Sequence, residues 1–174
     1  EQPVSDGQPS QPLRTDDLHS AAYFGDQRDY WWNADAARLM VQRAELGPSP
    51  RILDVGCGMG HWSRVLLPHL PDATLTGIDR EPAWVAEATR RAEKAGLAAR
   101  TTYRTGDANA LPFDDGTFDV VTCQTLLMHV PDPVAVLREF RRVLRAGGKL
   151  LVAEPNNTAG ALTFGSERHD APIE

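Results

Sequence analysis

The chain has 174 residues, 41% hydrophobic and 24% charged, which suits one domain with a sizeable core. A net charge of −6 and an isoelectric point near 5.3 provide no basic face to gather nucleic acid, so that class of partner is excluded. No apolar run approaches the roughly 18 residues of a membrane span, which excludes a spanning helix, and no leader pattern is visible.

Residues 1–15 are rich in Pro, Gln, Ser and Asp and read as a mobile tail. Residues 16–48 form a helical cap, in which Tyr23, Phe24, Tyr30, Trp31 and Trp32 cluster around Arg28. Its helix is predicted over 33–46, capped by Asn33 or Asp35 and stopped by Gly47-Pro48. A core over 49–156 then alternates strand and helix. Strands are predicted at 51–55, 74–78, 101–105, 118–122 and 149–154. Helices are predicted at 60–70, from Pro82 to Gly96, and from Asp132-Pro133 to Arg145. The last should present Val134, Leu137, Phe140 or Arg141, and Leu144 on one face, with Gly147-Gly148 after its end.

Strands alternating with helices of this length imply a parallel sheet with right-handed crossovers and helices on both faces. The expected fold is α/β, a doubly wound Rossmann-like sheet of order 3-2-1-4-5. Ligands of such sheets collect at the carboxyl ends of the strands. There the sequence places Asp54, Asp79, Asp107, Gln124 and Glu154.

The run Leu53-Asp54-Val55-Gly56-Cys57-Gly58-Met59-Gly60 puts glycine at every second residue between a strand and a helix. Such a loop offers free N–H groups to a polar ligand and lets it approach the main chain. A dinucleotide fingerprint would need its third glycine where His61 stands, which disfavours a nicotinamide cofactor. Asp79 follows Thr76-Gly77-Ile78 about twenty residues on, the offset at which an acid meets ribose hydroxyls. The alternative for Asp79 is an N-cap on the Pro82 helix. Cys57 and Cys123 make neither a disulfide framework nor a zinc site; both read as small buried residues of a cytoplasmic protein. No metal cluster is apparent, and Asp114-Asp115 reads as a turn.

The glycine run resembles the first motif, hhDhGxGxG, of the class I S-adenosylmethionine-dependent methyltransferases. Ala110-Leu111-Pro112-Phe113-Asp114 before Phe118-Asp119 resembles the family's segment ahead of the fourth strand. Leu126 to Asp132 resembles the segment after it, and Leu144 to Leu150 with Glu154-Pro155-Asn156 the fifth strand and its approach. The resemblance implies S-adenosylmethionine as cofactor, S-adenosylhomocysteine as product, and in-line methyl transfer to an O, N or C nucleophile of a small molecule. It implies cofactor-binding roles for Asp54, Gly56, Cys57, Gly58 and Gly60, and for Asp79 with Arg80 beside it. Asp107 would face the adenine amino group and the Ala108 N–H a ring nitrogen. Gln124 would lie near the methionine moiety, and Arg28 or Tyr23 would engage its carboxylate. His129 is the candidate base, with packing or loop support as its alternative.

One departure concerns the end of the sheet. The family's sixth and seventh strands find no counterpart in 157–174, an incomplete segment in which only Ala161 to Phe164 can pack. A truncated protein whose exposed fifth strand supports a homodimer is therefore expected. Two other readings stand beside the methyltransferase: a non-catalytic S-adenosylmethionine-binding module, and a nicotinamide-dependent oxidoreductase.

Overall fold

In a computed structural model, residues 33–154 are described. The expectations for the tail, for Arg28 and Tyr23, and for the C-terminal segment lie outside them.

The elements run α1 (Ala34–Ala44), β1 (Arg51–Val55), α2 (His61–Leu66), β2 (Thr74–Asp79), α3 (Pro82–Lys94), β3 (Thr101–Thr105), β4 (Phe118–Gln124), α4 (Pro133–Val143) and β5 (Leu144–Ala153). The five strands form one parallel sheet of order β3-β2-β1-β4-β5, as expected. β1 is central, and four of its five residues are buried, because both faces of a doubly wound sheet are covered. Alternation along the strand divides the core. Ile52, Leu75 and Val120 point to the face carrying Leu67, Ala92 and Leu97. Leu53, Val55, Val121 and Cys123 point to the face covered by Val136, Phe140 and Val143 of α4.

Several boundaries differ from the sequence reading, each for a local reason. α1 begins as predicted, with the Asn33 side chain accepting from the Ala36 N–H at 3.1 Å. It ends at Ala44, where Glu45 takes a left-handed conformation before Gly47 is reached. α2 is only six residues long, and Leu67–His69 continue as a 3₁₀ turn. Pro68 lacks the N–H that would extend the α-helix. α3 closes as predicted: Gly96 has φ +71°, the Leu97 N–H donates to Ala92 O at 2.8 Å, and the Gly96 N–H donates to Glu93 O at 3.0 Å.

The largest correction lies at the end of α4. Helix stops at Val143, and strand begins at Leu144 rather than Lys149. Leu144 pairs with Phe118, and Lys149 with Val120, so β5 takes five steps where β4 takes two. Gly147 and Gly148 are the bulge that absorbs the difference, with Gly147 at φ +73°. The buried face of α4 is also turned from the one expected. It is Val136, Phe140 and Val143, while Val134 is 54% exposed. Among the described residues β5 pairs on one side only, with β4.

Candidate functional site

The glycine loop joins β1 to α2 at the carboxyl edge of the sheet. Gly56, Gly58 and Gly60 all have positive φ, at 72°, 50° and 70°. The alternation in sequence is therefore an alternation of left-handed residues, which glycine adopts without a Cβ penalty. Two of the three also make room for neighbours. A Cβ on Gly56 would meet Leu126 Cδ1 at 2.9 Å, and one on Gly60 would meet the Tyr103 hydroxyl at 2.7 Å.

The expectation of free loop N–H groups is corrected. Gly56 and Cys57 both donate to Ile78 O, at 2.8 and 3.0 Å, and Gly60 donates to Cys57 O at 2.9 Å. The Gly58 N–H donates to Asp79 Oδ2 at 2.9 Å. The turn folds back onto β2 and satisfies these donors within the chain. What the site presents to a ligand is therefore side chains more than backbone N–H.

Asp79, at the end of β2, is 6% exposed. Its Oδ1 accepts from the Glu81 N–H at 3.0 Å and its Oδ2 from Gly58. Asp79 is thus not the N-cap of α3; that position is Glu81, whose side chain makes no capping bond. Each carboxylate oxygen has two acceptor positions, so one further hydrogen bond per oxygen is available. Arg80 beside it turns outward, pairing with Glu81 at 3.7 Å. Asp54 is buried at the end of β1, in register with Gly77 of β2 and Thr122 of β4.

Asp107 follows β3 and is exposed. Its Oδ1 accepts from both the backbone N–H and the side-chain amide of Asn109, each at 2.9 Å. These bonds, with the Arg80 charge as a smaller contribution, hold its carboxyl below the usual range. Ala108 is half-buried within this turn. Gln124, at the end of β4, is 4% exposed, and its Nε2 has no hydrogen-bond partner. A buried amide donor of that kind is what a polar ligand at the strand end would satisfy. His129 ends the 3₁₀ turn Leu127–His129 beyond β4; Leu127 packs on the core, whereas His129 is exposed and does not pack behind the strand.

Cys57 and Cys123 are both buried and free, as expected. Burial pushes the Cys57 thiol well up, and the Asp54 and Asp79 charges push it further. Neither thiol has the electropositive surroundings that make a nucleophile. Among the described residues no group of acids, histidines and cysteines could hold a metal ion.

Three residues without an assigned role in the sequence reading shape this edge. Tyr103 of β3 reaches the glycine loop and hydrogen-bonds Ser63 of α2. Glu154 accepts from the N–H groups of Leu126 and Leu127, at 2.7 and 2.9 Å. Thr125 is in the left-handed region at φ +55°. Gly77, inside a strand, was a signal for the first, since such glycines mark a close approach. Glu154 was legible only as an acid at a strand end, without its partners, and Thr125 has no sequence signal.

Residues 53–152 match a family model described as a methyltransferase domain. The ubiquinone biosynthesis O-methyltransferase of Xanthomonas axonopodis pv. citri is 36% identical over 146 residues, 77% of this chain and 59% of that protein. The demethylmenaquinone methyltransferase of Thermus thermophilus is 38% identical over 141 residues, 81% of this chain and 60% of that protein. The chain thus spans about three-fifths of the length of these two curated relatives. Among solved structures, the cyclase SpnF superposes with a TM-score of 0.65 at 33% identity, covering 70% of this chain and 44% of that one. A geranyl diphosphate methyltransferase in complex with SAM has a TM-score of 0.65 at 22% identity, covering 75% of this chain and 52% of that one, and shares the fold.

Proposed function

Because this chain belongs to the methyltransferase domain family, the class I S-adenosylmethionine-dependent methyltransferases, we propose that it binds S-adenosylmethionine and directs its methyl group to a small-molecule nucleophile. The observation that carries this reading is Asp79. Its carboxylate is buried against the glycine loop, each oxygen holds one backbone N–H, and each retains an acceptor position. That geometry suits the two hydroxyls of a ribose.

The other residues take roles consistent with it. Gly56, Cys57, Gly58 and Gly60 form the floor, with Asp54 buried at the end of the strand that leads into it. The amide of Gln124 serves the methionine end of the donor, where Arg28 and Tyr23 of the cap would meet its carboxylate. Asp107 and the Ala108 N–H serve the adenine, and Arg80 stands at the rim.

The sulfonium supplies an already activated methyl group when bound. The protein's task is then to align donor and acceptor and exclude water, a contribution that reaches roughly 7–11 kcal/mol in well-oriented systems. His129, exposed beyond β4, would take a proton from an acceptor that carries one. The similarity to an O-methyltransferase of ubiquinone biosynthesis supports an oxygen nucleophile among the O, N and C alternatives.

Two observations weigh against a nicotinamide cofactor. The loop N–H groups that a pyrophosphate would need are bonded to Ile78 and Asp79, and His61 is buried where the third glycine would stand. A second reading keeps the donor site but not methyl transfer, and SpnF, a cyclase at 33% identity, favours keeping it in view.

Calorimetry with S-adenosylmethionine, S-adenosylhomocysteine and NAD tests the donor. The first two should bind and NAD should not; the reverse pattern would overturn the assignment. A screen of phenolic and quinol acceptors for methylated product then separates transfer from binding alone.

A further inference from the structure

The segment after β4 bends sharply, and the bend is costly. Thr125 has φ +55°, a region in which a β-branched side chain crowds its own backbone. Such a conformation persists only where its surroundings hold it. Three hydrogen bonds do so, one to the last residue of β5 and two to the residue after it. The Thr125 N–H donates to Ala153 O at 2.9 Å. The N–H groups of Leu126 and Leu127 both donate to a single oxygen, Glu154 Oε1, at 2.7 and 2.9 Å.

The bend has a consequence at the glycine loop. It lays the Leu126 side chain over Gly56, so close that a Cβ there would come within 2.9 Å of Leu126 Cδ1. We propose that Glu154 is a positioning residue for the donor site: its Oε1 holds residues 125–127 in the left-handed bend that seats Leu126 on Gly56. The proposal rests on the cofactor site described above for its functional meaning, though not for its geometry. Oε1 takes both bonds, while Oε2 is buried without a hydrogen bond. The clamp therefore needs one acceptor oxygen at this place and not a second one. A glutamine can supply that oxygen and an alanine cannot.

The test compares Glu154→Ala, Glu154→Gln and the double variant Glu154→Ala with Thr125→Gly. Two readouts are followed: amide hydrogen exchange at Leu126 and Leu127, and the Kd for S-adenosylhomocysteine. Glu154→Ala should speed exchange at those two amides by about tenfold or more and weaken binding about tenfold, with the amides of β1 as slow as before. Glu154→Gln should stay within about threefold of the parent on both readouts, because a neutral oxygen still accepts. Thr125→Gly should recover much of the affinity lost in Glu154→Ala, since glycine enters the left-handed region without strain.

Unchanged exchange in Glu154→Ala would overturn the proposal, as would a glutamine variant no better than alanine. Faster exchange spread through β1 would mean general loss of stability and would overturn it too. Should the parent protein fail to bind S-adenosylhomocysteine, the cofactor reading falls, while the exchange result still decides the clamp.

Discussion

Tyr103 and Gly77 occupy one volume: a Cβ built on Gly77 would lie 2.5 Å from Cδ1 of the Tyr103 ring. The two residues face each other in register on β3 and β2. The ring thus crosses its neighbouring strand and carries its hydroxyl to the glycine loop. There it hydrogen-bonds Ser63, whose Oγ donates to Gly60 O at 2.8 Å. The glycine in β2 and the last glycine of the loop are both notches for the same side chain.

Gly77→Ala should therefore destabilise the fold by about 1–3 kcal/mol, the usual cost of forcing atoms into a packed core. Cys57 Sγ, 3.0 Å from the same built Cβ, closes the other direction of escape. Tyr103→Leu in the same chain should restore part of the loss by vacating the ring's volume. Thermal unfolding of the two variants decides it. An unaltered midpoint in Gly77→Ala would show that the ring moves aside without cost.

These contacts mark the boundary of what the sequence conveys. The sheet was legible because five short segments rich in apolar or β-branched residues alternate with three periodic ones, and because Gly96 and Asn33 are chemical stop and start signals. The Leu144–Lys149 bulge was not, since Gly147-Gly148 ends a helix as readily as it bends a strand. At the site, residue type revealed the glycine loop and the strand-end acids. Partnership did not follow from type. The loop N–H groups fold back onto Ile78 and Asp79, and Thr125 is left-handed because β5 holds it there. Both facts depend on atoms far away along the chain.

Asp79→Asn tests the ribose assignment. The substitution exchanges one acceptor oxygen for an NH₂ that faces a backbone donor, either Gly58 or Glu81 N–H, and it removes the charge. Affinity for S-adenosylhomocysteine should fall by about 1.5–3 kcal/mol, the range for hydrogen bonds to charged groups. Calorimetry at fixed salt measures it. Equal affinity in parent and variant would place the ribose elsewhere.

His129→Ala should leave both folding and S-adenosylhomocysteine affinity within about twofold of the parent, as expected for an exposed residue outside the donor floor. With an acceptor in hand, turnover then reports its role. A general base lowers kcat by about 10²–10⁴-fold when removed and takes the acidic limb of the pH profile with it. Loss of cofactor affinity in this variant would show that the turn supports the donor site instead.

Acid should weaken the attachment of the loop between β3 and β4. Glu139 of α4 accepts from the Leu111 N–H at 2.8 Å and makes two bonds, each 2.8 Å, with the Arg142 guanidinium. Arg142 in turn donates to Leu111 O and Phe113 O, at 2.9 and 2.7 Å. The Arg142 hydrogen bond holds the Glu139 carboxyl below its usual range, and the Arg90 bond does the same for Glu87, down to about 2. A folded-state value below the unfolded one stabilises the protein above the unfolded value and is lost as pH falls through the folded one. Stability should thus hold down to about pH 4.5 and then decline towards pH 2. Glu139→Gln keeps an acceptor for Leu111 but loses the charged pair with Arg142. Its urea midpoint should lie below the parent's at pH 6, and the gap should narrow as the pH is lowered from about 4.5 towards 3, because acid protonates the parent's carboxyl in the unfolded chain before it does so in the folded one. A gap that stays constant across this range would assign the effect to packing rather than to charge.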